Sequence, residues 1–186
     1  MKIKIIIFII VITVIFLLTW LFIASSKPLP GQKMPDLGRG HVEIGKEVEY
    51  NSNPPTSGPH YADWVRAGVY ETEKDDRNLV HSLEHGYIIM HYKCNLKAQM
   101  SNVKSEESTG SAVVTDEDCK ARKEQLAQVY EEKGRRKLIV VPRPNLDTNF
   151  ALTAWAYIDK LNDFDQKRIE KFIDAHRDQG PERTME

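Results

Sequence analysis

Residues 5–24 form twenty consecutive positions without a charge, and Thr13 and Thr19 are their only polar side chains. At about 1.5 Å of rise per residue a helix of that length spans the roughly 30 Å hydrocarbon core of a bilayer. A cleavable secretory signal has a shorter apolar core, about 7–15 residues. An uncleaved anchor is therefore the expectation, although Ala24, Ser25 and Ser26 offer a small-residue cleavage site. Lys2 and Lys4 favour an inside N-terminus, and the positive charges from Lys27 onward work against that orientation. The expected plan is a cytoplasmic N-terminus (1–4), a transmembrane anchor (5–24), a proline-bearing linker (25–37) and one extracytoplasmic domain (38–186). The cell membrane is the expected location, crossed once.

The remainder of about 150 residues is enough for one real core. The net charge of −1, with both signs mixed throughout, offers no basic stripe for nucleic acid and no acidic tail for a basic partner. Cys94 and Cys119 are the only cysteines. Outside the cytoplasm they imply one disulfide closing a polar excursion, a closure of about 3–4 kcal/mol in chain-entropy terms. A thiol metal pair or redox couple is the rival, and the wide spacing argues against a CxxC device.

The central stretch is 79–92, LVHSLEHGYIIMHY. It puts His81, Glu84 and His85 into five residues, ends that segment at Gly86, and starts a strand-like run at Tyr87. Alternation would place Tyr87, Ile89 and His91 on one face and Ile88, Met90 and Tyr92 on the other. Upstream, NPPTSGPH (53–60) is a loop stiffened by prolines that presents His60. Residues 38–50, punctuated by glycines, suggest a short hairpin carrying His41, and 71–78 a charged surface loop. Residues 116–133 read as a helix stopped by Gly134, and 138–141 as a second buried strand. Residues 150–161 fit a helical stripe better than a strand. Residues 163–179 form the clearest helix, with Asp163 and Gln166 as a capping pair, and 181–186 a frayed tail. Strands and helices interspersed imply a single compact α+β domain: a small mixed or antiparallel sheet with two to three helices, after the N-terminal transmembrane helix.

His81 and His85, four residues apart, share a face on even one helical turn. Neutral imidazole is the common ligand of zinc, copper, iron and nickel. His60 would complete a three-nitrogen set, with water, a carboxylate or a thioether in fourth place. HSLEH also matches H-x-x-E-H, the inverted zinc-protease motif, with Glu84 as general base, but Gly86 leaves no long helix to hold it. Glu84 could instead orient an imidazole as an acceptor, or face solvent. The bland alternative is that the histidines satisfy buried backbone groups and bind nothing. His91 and His176 fit structural roles.

GRGHV (38–42), YNSNPPTSGPHY (50–61), GVY (68–70), LVHSLEHGYIIMHY (79–92) and GPE (180–182) together resemble the bacterial family called domain of unknown function 3105. The resemblance covers most of the chain after the linker and implies a single N-terminal span. It brings no established reaction. It implies that His41, His60, His81 and His85 belong to shared motifs, and that Glu182 and Met185 lie in the family's closing motif.

The expected function is a membrane-anchored metal-binding domain, for copper first and zinc second, with His60, His81, His85, Met185 and His41 as candidate ligands and no catalytic residue assigned. Delivery, storage or sequestration would suit it, with another envelope metal-handling protein as the partner. A zinc-dependent hydrolase using Glu84 and an envelope module without metal are the alternatives.

Overall fold

The computed structural model describes residues 2–25, 28–94 and 115–184. Helix α1 (Lys2–Ser25) contains Ile3–Leu21, 19 residues long and apolar enough to cross a membrane. Its two threonines return their hydroxyls to carbonyls three and four residues back, which satisfies them without water.

The elements that follow are β1 (Gln32–Lys33), β2 (Gly68–Val69), α2 (Asp76–Glu84), β3 (Ile88–Tyr92), α3 (Asp116–Glu132), β4 (Leu138–Pro142), β5 (Phe150–Ala154), β6 (Tyr157–Leu161) and α4 (Gln166–His176). One six-stranded sheet runs in the order β1-β6-β5-β3-β4-β2. β2 and β3 both lie parallel to β4, and β5, β6 and β1 continue antiparallel from β3. The mixed α+β class and the three helices after α1 agree with the sequence expectation. The segment expected as a linker contributes β1, whose partner is β6.

Strand alternation divides the core as the sequence implies. Ile88, Met90, Tyr92, Leu138 and Val140 share one cluster with Leu126 and Val129 of α3 and Ile169, Phe172 and Ile173 of α4. Tyr87, Ile89, Ile139 and Val141 share the other with Leu79 and Leu83 of α2. Each fully buried Leu, Ile or Phe is worth about 1.5–3 kcal/mol, so the two helical layers are held mainly by these faces. Cys94 and Cys119 are bonded to each other inside the first cluster.

Four local expectations are corrected. Residues 150–161 are a β-hairpin, β5–β6, not a helix: Ala156 takes φ 58° at the turn, a conformation that usually selects glycine or asparagine, so the turn carries no sequence signal. Residues 38–50 form no hairpin. His41 instead makes an isolated parallel bridge with His60, and Val42 N–H donates to His60 O at 2.8 Å. Within 71–78, Asp75 caps α2, which begins at Asp76. The cap of α4 is Asp165, which accepts from Arg168 N–H, rather than Asp163.

His91 and His176, for which structural roles are the sequence expectation, are both buried. His91 Nε2 lies 3.2 Å from Thr153 Oγ1. His176 Nε2–H donates to Pro30 O at 2.8 Å between the rings of Tyr157 and Phe172, and burial pushes its pKa below the usual value.

Candidate metal centre

Helix α2 and its exit carry half of the site. Asp75 accepts from Arg77 N–H to start the helix. His81, Glu84 and His85 then fall at i, i+3 and i+4, on one face. The helix ends in a glycine cap: Gly86 sits at φ 79°, Gly86 N–H donates to Leu83 O, and Tyr87 N–H donates to Ser82 O. That cap turns the chain into β3 within three residues, and it leaves His81 and Glu84 in the last turn of α2 with His85 at the cap.

The other half is a pair of loops laced together by main-chain bonds. Gly58 N–H donates to Gly38 O, His60 N–H to Gly40 O, and Val42 N–H to His60 O. Tyr50 Oη–H donates to Pro59 O, and Ser57 Oγ accepts from Leu37 N–H. These bonds set His41 beside His60 and aim both at α2.

The rings of His41, His60 and His81 form a near-equilateral triangle, with centroids 5.1, 5.1 and 4.9 Å apart. One donor atom from each of them, and one from Glu84, all lie within 4.8 Å of one another. His60 is 0 % exposed, His81 4 %, Glu84 3 % and His85 4 %, whereas His41 is exposed. His85 stands beside this group with its Nε2 3.1 Å from His81 Nε2. Trp64 roofs the helix side, 5.6 Å from the His81 ring and 4.9 Å from His85.

Hydrogen bonding fixes the tautomers. A carbonyl oxygen only accepts, so His60 Nδ1–H must donate to Gly58 O at 2.8 Å and His81 Nδ1–H to Tyr61 O at 2.7 Å. In the neutral rings the lone pair is then on Nε2 of each. For His60 that atom faces Glu84 Oε2 at 2.9 Å. Imidazole lone pair and carboxylate oxygen are both acceptors, so the contact requires a cation between or upon them, either a proton or a metal ion. Burial pushes the His81 pKa below its usual value, outweighing the bond to Tyr61 O, with the neighbouring His85, His60 and His41 acting in the same downward direction. The Glu84 carboxylate has the Arg39 guanidinium at 3.8 Å, on a side chain 58 % exposed. A buried anion facing buried lone pairs favours a cation.

The C-terminal segment closes over the end of α2. Glu182 N–H donates to Glu84 O, Asp178 N–H donates to Gly86 O, and the Lys137 ammonium donates to His85 O and Thr184 O at 2.9 Å each. Residues 181–184 are thus docked, where a frayed tail is the sequence expectation. Gly180 is the fulcrum: a Cβ there would stand 2.2 Å from Glu84 O and 2.3 Å from Gly86 N. Both obstacles are backbone and cannot swing aside. Gly180→Ala is expected to cost about 1–3 kcal/mol in chemical denaturation, in the range of overpacking substitutions.

The model for a protein of unknown function, DUF3105, matches residues 41–186. The chain belongs to this family. No curated protein and no solved structure matches it. Membership in DUF3105 brings no reaction with it, so the chemistry rests on the geometry of the site.

Of the residues predicted from sequence, His41, His60 and His81 come together, with His85 at their edge. Met185 lies outside the described residues. Glu84, read from sequence as an orienting acceptor, a general base or a solvent-facing acid, is buried and belongs to the donor group itself. Its i+3 spacing from His81 is the signal that could have placed it there. Lys137 reaches the site from a distant segment and carries no local signal of it, whereas Arg39 and Trp64 stand two and four residues from His41 and His60.

Proposed function

We propose that this DUF3105 chain binds a divalent transition-metal ion through His41, His60, His81 and Glu84. The observation that supports it best is that one donor atom from each of His41, His60, His81 and Glu84 lies within 4.8 Å of the others, three of the four residues being buried. Three imidazoles and a carboxylate suit Cu(II) and Zn(II), and the general stability order favours copper. Bonds of about 2.0–2.1 Å in a tetrahedral shell separate donors by roughly 3.3 Å, so the widest gap must close by roughly 1.5 Å on loading. The exposed His41, carried on a loop, has the most room to move.

Helix α1 and the core disulfide fit a domain held on the outer face of a membrane, where thiols oxidise. Delivery, storage or sequestration of copper at that surface is the role this supports, with another envelope metal-handling protein as the natural recipient. The hydrolase alternative needs Glu84 to stand off the ion and activate a water. Its short contact with His60 favours a ligand instead.

Elemental analysis of the full chain, purified in detergent and dialysed against copper and zinc together, tests this. One copper per chain is expected, with zinc displaced. A chain that retains neither metal refutes the reading.

A further inference from the structure

Glu182 and His85 are not accounted for by a four-donor buried site. His85 Nε2 lies 3.1 Å from His81 Nε2 on its inner side and 3.9 Å from Glu182 Oε1 on its outer side. The Glu182 side chain is 51 % exposed, whereas that of His85 is 5 % exposed. The three groups lead from solvent to the buried triangle: a half-exposed carboxylate, then two equally buried imidazoles, the inner one a member of the donor group. The position of Glu182 is built, not incidental. Its own N–H is bonded to Glu84 O, the preceding Pro181 O accepts from Arg39 Nη1 at 3.5 Å, and Thr184 O is held by buried Lys137.

The geometry points to Glu182 and His85 as an outer cation site through which the metal enters and leaves the buried one. This rests on the metal-binding reading above and adds a route to it. A hydrated divalent cation is captured first by the Glu182 carboxylate, which offers charge without desolvation. His85 then replaces one water, and the ion passes to His81, from which it reaches His60 and Glu84. Arg39, beside Glu84, carries the local positive charge until the ion arrives. As the ion is taken up, the ring proton of His85 shifts from Nε2 to Nδ1, the proton held between His60 Nε2 and Glu84 Oε2 in the metal-free chain leaves to solvent, and no electron is transferred. As a way-station, the outer pair lowers the barrier in both directions and leaves the depth of the final well unchanged.

Stopped-flow loading of the metal-free full chain in detergent with Cu(II) tests it. Trp64, 4.9 Å from the His85 ring, is the fluorescent reporter. Glu182→Gln removes the capturing charge while keeping the backbone bonds of the tail. Loading and chelator-driven release are each expected to slow by about tenfold or more, the scale on which local charge alters the capture of ions. Equilibrium affinity, from competition with a chelator, is expected to stay within about twofold. Glu47→Gln, an acid outside the site, should leave all three unchanged. Wild-type rates in Glu182→Gln overturn the inference, and so does a loss of affinity matching the loss of rate, which would make Glu182 an ordinary ligand. A wild-type chain that takes up no copper overturns the buried site as well, and so separates the two failures.

Discussion

Replacing His60 and His81 together by alanine is expected to take bound copper from one ion per chain to background. Each substitution removes a donor that its Nδ1–H bond to a carbonyl, Gly58 O or Tyr61 O, holds in place, and His85 beside His81 can make good at most one of the two. Loss of a supporting partner of a metal ligand typically costs 10–100-fold in affinity, and loss of two ligands must exceed about 100-fold. The same change should erase stabilisation by copper. At a free concentration 100 times the dissociation constant, that stabilisation is about 2.7 kcal/mol, or roughly 5–10 °C in melting temperature for a domain of this size. Alanine also leaves two buried carbonyls without donors, so His60→Gln with His81→Gln, which keeps an amide donor at each position, is the companion variant. Copper retained at wild-type stoichiometry by a folded double variant would end the metal assignment.

The second large effect is on stability. Cys94→Ser with Cys119→Ser opens a link across a sequence separation of 25. Chain entropy puts the loss at about 3.5 kcal/mol. Both sulfurs lie in the cluster under α3, and the bond joins the residues just after β3 to the first turn of that helix. The urea midpoint should fall accordingly, and reduction of the wild-type chain should reproduce the fall. A loss below about 1 kcal/mol would mean that the packing of α3, through Leu126 and Val129, holds this layer without the link.

The junction of α2 and β3 was legible because every signal there is local. Histidines four apart, a glycine that takes positive φ, and a run of β-branched residues need no knowledge of distant chain. The extent of α3, begun at Asp116 and stopped before Gly134, and the buried stripe of α4 follow from the same kind of short-range pattern. The hairpin of β5 and β6 was not legible, because its turn is Trp155-Ala156 and its strands contain alanine and leucine, which also favour helix. Within the site, residue types pointed to His60 and His81, and family motifs to His41. The inward aim of Glu84 depends on which way α2 is rolled against the sheet, set by Leu79 and Leu83 packing on Ile89 and Ile139. The docking of 181–184 depends on Lys137, a buried cation whose partners Asp178, Thr184 and His85 are 41, 47 and 52 positions away. No pattern of neighbouring residues encodes a contact of that span.

The bridge between His41 and His60 has a consequence for how this centre tolerates change. Main-chain bonds flank both histidines, from Gly38, Gly40 and Val42 on one side to Gly58 and His60 on the other. The residues looping out between these anchors therefore have little say in where the two imidazoles stand. Within 43–49, Gly45 N–H donates to Tyr61 Oη and Lys46 O accepts from Arg77 Nη1, so it is at the exposed Ile44 that a change should leave the ion-binding geometry intact.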